Sequence, residues 1–391
     1  MSTLLIRNGR IITPEGIIPR GSILSIDGVI RTVSASESVA DSEAVVVDAE
    51  GQYVAPGCID LHVHGAAGHD FMEATPEAFD AIRRTHALHG TTSLLGTLAV
   101  SSPDIINRCI DICDRGESRA LGAELLGLHL EGNYLNLIMK GAQDPTYISN
   151  PDPEEYTRLL SRTHSIRRWS AAPELPGALD FARYARRQGV LVALAHTTAD
   201  YAQVQAAYEA GFTHATHFYN AMTTIHKEGI RKHEGTVEAV LLTDGITVEV
   251  IADGIHVPPT LLQLVYKVKG PDNIALVTDA LRWTELSDAA DSSVTGNAGG
   301  QAIVSDGVCL MSDGSALAGS IATTDRLIRT MVQQAAIPLT DAIRMASATP
   351  ARILGIHDRK GTLTEGKDAD IIFLDDTLHV TRTFVHGNEI G

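Results

Sequence analysis

The 391-residue chain has few cysteines, few aromatic residues and too few basic residues to balance its acidic ones. Four cysteines cannot form the disulfide framework typical of small secreted proteins, and no apolar run approaches the roughly 20 residues of a membrane span. The 31 lysines and arginines against 48 acidic residues leave a formal net charge of −17. This charge argues against a nucleic-acid partner, which needs a surface that neutralises many phosphates. A small phosphorylated substrate needs only one local cationic pocket and is compatible with it.

The first ten residues lack the long apolar core of a secretory signal. Together with the scarcity of cysteine, this favours a reducing, cytoplasmic compartment. Hydrophobic residues make up 44% of the chain and charged residues 20%, which is typical of a globular protein. At this length we expect one large domain and a smaller companion.

Both ends of the chain alternate short β-type runs with glycine and aspartate turn residues. Such runs fill residues 1–54 and recur after residue 356, for example at 370–374 and 380–385. Neither end could bury a core alone. The pattern therefore predicts a small β-sandwich domain assembled from residues 1–54 and 356–391.

The middle of the chain alternates strand-like and helix-like patterns at a spacing of about thirty residues, which is typical of βα units. The predicted strands are 57–63, 91–98, 125–130, 168–172, 190–195, 213–218, 247–252 and 274–278. Eight such units predict an α/β fold, a TIM-type (β/α)8 barrel, as the catalytic domain over residues 55–355.

Helix boundaries and one irregular segment complete this pattern. The first helix is predicted to start after Thr75, with proline at its first position, and to stop at Gly90. The eighth helix is predicted over residues 323–336. Residues 282–313 are polar and irregular, which indicates a loop or small insertion after the last strand.

Side chains that can bind a metal lie at the ends of five predicted strands. They are His62, His64, Glu131, His196, His217 and Asp279. The carboxyl ends of the strands of a (β/α)8 barrel meet at one rim, where enzymes of this fold build their active sites. Residues that are far apart in the sequence are therefore expected to meet around one point.

Each candidate also has an ordinary structural interpretation. His62 and His64 project from the same face of a strand, but such pairs occur by chance. A strand-end glutamate can be salt-bridged, a single histidine is more often structural, and Asp279 could cap a helix. Because all these residues are expected at one rim, a metal centre is favoured over separate explanations.

Glu131, His196 and His217 supply the mixed nitrogen and oxygen donors that suit Zn²⁺, with iron or manganese as alternatives. Such an ion could activate a water molecule near neutral pH. Asp279 would then act as general base and later as general acid. His62 and His64 could hold a second ion bridged by Glu131. The sequence therefore predicts a metal-dependent hydrolase with one or two ions per subunit.

Eight short motifs lie at or near these strand ends. They occupy residues 56–60, 127–132, 172–174, 195–196, 215–222, 251–256, 277–280 and 317–320. Together they resemble the amidohydrolase superfamily and, within it, the N-acetylglucosamine-6-phosphate deacetylase family. The resemblance covers nearly the whole chain, and the run Thr-His-Phe-Tyr-Asn-Ala-Met at 216–222 is its most discriminating part.

The resemblance implies removal of the N-acetyl group from N-acetylglucosamine-6-phosphate, which gives glucosamine-6-phosphate and acetate. It implies a homodimer, and it implies the same metal ligands and acid/base that the strand ends suggest. It further implies that His256 holds and polarises the substrate near the scissile amide. Substrate contacts are also implied for Asn220, Ala221 and Ala318.

Three departures from the family pattern concern the substrate more than the reaction. Asn133 replaces a proline, which could loosen the loop next to a ligand. Gln143 stands where the family often has a histidine contributed across a dimer interface, and its amide can still hydrogen-bond phosphate. The cationic segment 226–233 is longer than usual. In it Lys232 is the first choice for phosphate and Arg231 the second, although such a run is also typical of a solvated loop.

Two alternatives stay open at this stage. The chain could be another amidohydrolase that acts on a different N-acyl sugar or on a cyclic amide. Several such amidohydrolases bridge two ions with a modified lysine on strand four, but residues 168–172 contain no lysine. A non-catalytic oligomeric scaffold could share the fold. Such a scaffold typically loses metal ligands, whereas none is missing here.

Overall fold

The computed structural model describes residues 2–36, 44–286, 294–295, 301–305, 307–314 and 316–391. Eight parallel strands form its central sheet and follow one another in chain order. They are Cys58–Val63, Thr91–Leu98, Glu124–Glu131, Ile166–Ala171, Leu191–Leu194, Phe212–Ala215, Thr247–Ile251 and Ile274–Val277. We refer to them as barrel strands one to eight. Each lies at its predicted place, and the predicted (β/α)8 barrel is confirmed.

The barrel closes between strands one and eight, next to several predicted site residues. Val63 bridges Ala280 in parallel orientation. The N–H of Asp279 donates to the carbonyl of His62 at 2.9 Å, and the N–H of His64 donates to the carbonyl of Ala280 at 2.9 Å. Closure therefore fixes the backbone of Asp279 against that of His62 and His64.

Helices connect successive strands and cover the outside of the barrel. The α-helices in the described residues are Pro76–Leu88, Pro103–Arg115, Pro153–Arg162, Ala178–Arg187, Tyr201–Ala210, Thr236–Leu242, Pro259–Lys269, Thr324–Arg329, Leu339–Ala346 and Ala348–Ile353. Short 3₁₀ turns lie at Phe71–Glu73, Leu137–Met139, Pro145–Tyr147 and Pro271–Asn273, and a π-helical turn at Thr330–Gln334. None of the described helices is long and apolar enough to cross a membrane.

The predicted helix boundaries follow from local chemistry. The Thr75 hydroxyl accepts from the N–H of Ala78 and caps the first helix, which begins at Pro76. The chain leaves this helix at Gly90, which has a φ of +92°. The predicted eighth helix is present as an α-helical turn that continues into the π-helical turn at Thr330–Gln334.

Both ends of the chain contribute to a second, mostly antiparallel sheet. Its strands are Thr3–Thr13, Gly16–Ile26, Val29–Ser34, Val45–Asp48, Tyr53–Pro56, Ile371–Leu374, Val380–Val385 and Asn388–Ile390. The tail strand Ile371–Leu374 pairs with Tyr53–Pro56, which joins the two ends. A separate core that includes Ile6, Ile23 and Phe373 is buried under this sheet.

Three smaller antiparallel sheets lie outside the central and terminal sheets in the described residues. They are Gly65–Ala66 with His69–Asp70, His226–Glu228 with Arg231–His233, and the sheet Val294–Thr295, Gln301–Ser305, Val308–Met311 and Leu317–Ser320. The last sheet overlaps the segment 282–313, which was predicted to be irregular. That expectation is corrected for the described part, where antiparallel pairing satisfies the backbone; residues 287–293, 296–300 and 306 lie outside the described residues.

A buried ion-pair network joins the terminal sheet to the barrel. The Lys360 side chain is only 1% exposed, and its Nζ lies 2.7 Å from Glu124, 2.9 Å from Asp368 and 2.5 Å from Asp370. Glu124 begins barrel strand three, whereas Asp370 directly precedes a strand of the terminal sheet. Glu124, Asp368 and His386 are close enough together to resemble a metal site. The ammonium group of Lys360 already supplies the positive charge there, so we assign this cluster to structure.

Replacing Lys360 with methionine is expected to destabilise the fold. The substitution leaves neighbouring carboxylates without their cation, and breaking a buried ion pair costs about 3–5 kcal/mol. Urea unfolding of Lys360→Met beside the exposed-lysine control Lys267→Met measures this cost. A loss below about 0.5 kcal/mol, the range of ordinary surface substitutions, would show that the network does not hold the two sheets together.

Candidate functional site

The candidate metal ligands stand at the carboxyl ends of the barrel strands. His62 lies in strand one with His64 just beyond it, and Glu131 is the last residue of strand three. His196, His217 and Asp279 follow the ends of strands five, six and eight. The backbone of these three residues is left-handed, with φ of +45°, +28° and +49°. Such conformations are uncommon outside glycine and cluster at functional sites.

The carboxylate of Glu131 is the centre of the site and is 3% exposed. Its Oε1 lies 2.9 Å from His217 Nε2 and 3.2 Å from His196 Nε2. Its Oε2 lies 3.3 Å from His64 Nε2, while His62 Nε2 lies 3.6 Å from Oε1. Four imidazole nitrogens therefore face one carboxylate, as expected from the strand-end pattern.

The donor set fits a divalent ion in two places. Ligand atoms within 4.8 Å of one another form one group from Glu131, His196 and His217, and another from His62, His64 and Glu131. Nδ1 of His196 lies 2.7 Å from the carbonyl of Met139 and donates to it. The Nε2 lone pair of a neutral His196 is thereby directed into the site. Buried imidazole nitrogens around a carboxylate are typical zinc ligands.

Asp279 lies on the other side of the two histidines of strand one. Its Oδ1 is 3.4 Å from His62 Nε2 and 3.3 Å from His64 Nε2. Burial raises the pKa of this carboxyl, but the charges of His62 and His64 outweigh burial and bring the pKa below its ordinary value. Asp279 is therefore ionised at neutral pH, the form that can accept a proton.

The acidic groups in turn favour positive charge on the same imidazoles. Burial alone would lower the pKa of His64, but Asp279 and Glu131 raise it to about 9. The pKa of Glu131 lies well below its ordinary value, because neighbouring histidines outweigh the effect of burial. The site is thus strongly attractive to a cation.

His256 presents a free ring nitrogen to the same region. Its Nδ1 lies 2.7 Å from Asp253 Oδ2, whereas its buried Nε2 has no hydrogen-bond partner among the described residues. Burial opposes ionisation of Asp253, yet the contact with His256 keeps the pKa of Asp253 below its ordinary value. Nε2 of His256 is available to a bound molecule.

A cavity of about 570 Å³ brings these groups together. The predicted site residues in its wall are His64, Glu131, Gln143, His196, His217, Asn220, Ala221, His256, Asp279 and Ala318. Residues that the sequence analysis did not select also line it, among them Asp70, Lys140, Ala142 and Tyr219. The volume is within the range of small-molecule sites.

Arg231 and Lys232 are not part of this cavity wall within one chain. Residues 226–233 form an exposed hairpin instead, in which Lys227 pairs with Lys232. Lys140 is the one lysine or arginine in the cavity wall of the described structure, and its Nζ donates to the carbonyl of Gly141 at 3.2 Å. The order of residues in the sequence does not reveal the direction in which this hairpin projects, and Lys232 and Arg231 were predicted from that order alone.

The side chain of Gln143 is engaged within its own chain. Its Nε2 donates to Glu131 Oε2 at 2.7 Å, and its Oε1 accepts from the N–H of Val100 at 2.9 Å. One N–H of the amide thus orients Glu131, while Nε2 keeps a second N–H, so the predicted contact of Gln143 with phosphate stays a prediction.

Asn133 ties the same loop to the end of barrel strand two. Its Nδ2 donates to the carbonyl of Ser101 at 2.9 Å, and its Oδ1 accepts from the N–H of Ser101 at 3.0 Å. The expectation that loss of proline loosens this loop is corrected, because the two hydrogen bonds of a buried amide hold the loop instead.

Arg168 and Glu249 form a buried ion pair beneath the site that the sequence analysis missed. Both side chains are 0% exposed, with Arg168 Nη1 2.5 Å from Glu249 Oε2. A signal was present for Glu249, whose charge interrupts the mostly apolar strand Thr247–Ile251, whereas Arg168 follows another arginine, Arg167, in strand four. Arg168 also occupies strand four, where the alternative two-metal amidohydrolases would need a lysine.

Comparison with known proteins gives one family over nearly the whole chain. The model of the amidohydrolase family matches residues 53–390. The N-acetylglucosamine-6-phosphate deacetylase of Bacillus subtilis (strain 168) is 33% identical over 99% of this chain and 96% of that protein. The N-acetylgalactosamine-6-phosphate deacetylase of Escherichia coli O157:H7 is 32% identical over 98% of both chains.

Solved structures show the same relationship in three dimensions. The N-acetylglucosamine-6-phosphate deacetylase from Pasteurella multocida superposes with a TM-score of 0.91, at 29% identity over 99% of both chains. A mutant of the Mycobacterium smegmatis deacetylase, in complex with N-acetyl-D-glucosamine-6-phosphate, gives a TM-score of 0.89 at 30% identity over the full length of both chains. Barrel and terminal sheet are therefore shared as one arrangement.

Proposed function

The chain belongs to the amidohydrolase family, and we propose that it is a metal-dependent hydrolase that removes the N-acetyl group from N-acetylglucosamine-6-phosphate. The products are glucosamine-6-phosphate and acetate. One observation carries the proposal: Glu131, His196, His217 and Asp279 line one cavity in a chain that matches deacetylases of this substrate over its full length.

Each residue has a proposed role in this reaction. Glu131, His196 and His217 would hold a divalent ion, and His62 and His64 with Glu131 a second one. A bound ion would polarise the substrate carbonyl and acidify the attacking water. Asp279 accepts the proton of that water and returns it to the departing sugar nitrogen, which completes the hydrolysis without net proton loss.

His256 would hold the acetamide in position. Its Nδ1 is fixed by Asp253, so that its Nε2 can contact the substrate. Nε2 of His256 would contact the carbonyl oxygen, where negative charge develops during attack. We propose Asn220, Ala221 and Ala318, which line the same cavity, as further substrate contacts.

We propose Zn²⁺ as the resident ion on the chemistry of the donors. Two imidazole nitrogens and a carboxylate oxygen in each group suit zinc, while iron or manganese can use the same ligands. We also propose a cytoplasmic location, because the four cysteines are free thiols, as expected in a reducing compartment. They are Cys58, Cys109, Cys113 and Cys309.

The phosphate group needs a cation, and Lys140 is our first candidate. It lies in the cavity wall, and its Nζ donates to the carbonyl of Gly141 at 3.2 Å without a salt bridge to any carboxylate in the described structure. Arg231 and Lys232 do not line the cavity of their own chain, and we propose that they approach a phosphate across a contact between two chains. We propose such a homodimer, in support of which Ile230 is 98% and Ile138 84% exposed.

Lys140→Met is expected to raise KM for the phosphorylated sugar about tenfold and to leave the unphosphorylated sugar unaffected. The lost charge-assisted hydrogen bond is worth about 1.5 kcal/mol in a partly exposed site. The matched comparison is the double variant Arg231→Met, Lys232→Met. An unchanged KM for Lys140→Met beside a raised KM for the double variant would assign the phosphate to the hairpin.

The identity of the sugar is the most specific part of the proposal. A relative of nearly equal similarity is named for N-acetylgalactosamine-6-phosphate, which differs only in one hydroxyl configuration. Product analysis with both sugars tests the proposal, with acetate and free amine expected in equal amounts and N-acetylglucosamine-6-phosphate as the preferred substrate. Exclusive turnover of the galactose epimer would overturn the substrate assignment but keep the reaction.

A further inference from the structure

We propose that Glu249, held by Arg168, is a positioning residue that fixes two of the metal-binding histidines. The proposal rests on the metal centre described above. It adds a pair of residues that do not line the cavity and for which sequence motifs gave no role.

Glu249 Oε1 accepts hydrogen bonds from both candidate ligand groups. His62 Nδ1 lies 2.8 Å from this oxygen, and the backbone N–H of His217 donates to it at 2.9 Å. Donation from Nδ1 leaves the opposite ring nitrogen, Nε2, as the lone-pair donor of His62. Nε2 is the atom that faces Glu131 and His64, so the bond selects the tautomer that can bind a metal.

The second contact controls a backbone turn. His217 has a φ of +28°, which is unfavourable for a residue with a side chain. Its N–H is held by the Glu249 carboxylate, and the next N–H, that of Phe218, donates to the Glu249 carbonyl at 2.8 Å. One residue of barrel strand seven thus fixes the turn that directs His217 towards Glu131.

Arg168 holds the carboxylate of Glu249 in place. Its Nη1 and Nη2 donate to the two carboxylate oxygens at 2.5 and 2.8 Å. The same guanidinium donates to the carbonyl of Leu61 at 3.0 Å and to Thr216 Oγ1 at 2.8 Å. Leu61 and Thr216 directly precede His62 and His217. The ion pair therefore reaches both ligands through the backbone as well as through Glu249.

His196 provides an internal reference. Its Nδ1 is held by the carbonyl of Met139 and not by Glu249. Loss of Glu249 is therefore expected to disturb His62 and His217 while the orientation of His196 is kept. Because each candidate group contains one of the disturbed histidines, Zn²⁺ affinity should fall at both.

The test compares two variants that both remove the buried charges. Arg168→Met, Glu249→Gln retains an oxygen that can accept from His62 and His217. Arg168→Met, Glu249→Leu removes that acceptor. Zn²⁺ affinity of each metal-free protein is measured by competition with a chromogenic chelator, and thermal unfolding establishes that both are folded. Glu238→Gln, a change in a helix-capping glutamate, is the control for an acid-to-amide substitution.

We expect the leucine double variant to bind Zn²⁺ about 10–100-fold more weakly than the glutamine double variant, the usual effect of removing a partner of a metal ligand. Equal affinities in the two would overturn the positioning role. A wild-type protein that binds no Zn²⁺ would instead overturn the metal centre itself, and the inference with it.

A spectroscopic measurement covers the case in which the double variants do not fold. In Zn²⁺-loaded wild-type protein with ¹⁵N-labelled histidine, the His62 signal is assigned from its absence in His62→Asn. Protonated Nδ1 with unprotonated Nε2 is expected. Protonation of Nε2 instead would contradict the role of Glu249.

Discussion

Replacing Asp279 with asparagine is expected to lower kcat about 10²–10⁴-fold, the contribution typical of a general acid–base group. Asparagine has nearly the same shape but cannot accept the proton of the attacking water. The ligands Glu131, His196 and His217 are untouched, so the metal content should stay near that of the wild type. The measurement is steady-state kinetics of acetate release with metal analysis on the same preparations.

This expectation rests on the geometry around Asp279. Its carboxylate lies within 3.4 Å of Nε2 of both His62 and His64, and these imidazoles keep it ionised. A variant that kept its metal and turned over substrate at a near-normal rate would remove Asp279 from the reaction. Loss of the metal from this variant would instead indicate that Asp279 acts mainly as a metal ligand.

Glu131→Gln is expected to abolish metal binding together with turnover. The carboxylate faces Nε2 of four imidazoles, so an amide would remove both a ligand oxygen and the negative charge that attracts the cation. We expect Zn²⁺ affinity to fall more than about 100-fold and kcat/KM more than about 10³-fold. Affinity is measured by chelator competition, and kinetics follow at fixed added Zn²⁺.

Glu174→Gln provides the matched control for this change. Glu174 is also a carboxylate at the rim of the barrel, but it bonds to Asn136, Thr197 and Thr198 and to none of the metal-binding side chains. It should therefore keep its metal. Equal loss in both variants would point to general damage at the rim, and full metal content in Glu131→Gln would refute the proposed centre.

The fold could be predicted from the sequence because its signals are local. Most barrel strands contain a short apolar run, and the first helix is delimited by Thr75, Pro76 and Gly90. The segment 282–313 was harder, because its strands, such as Gln301–Ser305 and Val308–Met311, are too short to show a clear period. Pairing of both chain ends in one sheet was accessible only by the argument that neither could bury a core alone.

The candidate ligands could be selected for a related reason. In a parallel barrel every strand ends at the same rim, so His62, Glu131 and His217 meet without knowledge of the loops. The left-handed backbone of His196, His217 and Asp279, in contrast, gives no signal in the sequence, because none of these residues is glycine. Whether each side chain binds the metal stays a prediction until metal is measured.

Contacts made by loops and by distant strands could not be predicted. Lys140 and Gln143 lie in a loop whose course is set by tertiary packing. Sequence position alone predicted a phosphate contact for Gln143, but it did not predict the hydrogen bond of Gln143 to Glu131 or the place of Lys140 in the cavity wall. Arg168 and Glu249 are separated by 81 residues, and no local period relates them. A buried charge in an apolar strand was the available signal, and its partner became evident only in the folded barrel.

The central claim is metal-dependent deacetylation of a phosphorylated amino sugar. It is tested most directly by acetate release from N-acetylglucosamine-6-phosphate and from N-acetylglucosamine, each with metal-free protein and with the same protein after addition of Zn²⁺. The expected result is turnover of the phosphorylated sugar that appears only when the metal is restored. Equal turnover with and without bound metal, or no turnover of either sugar by protein of full metal content, would contradict the account.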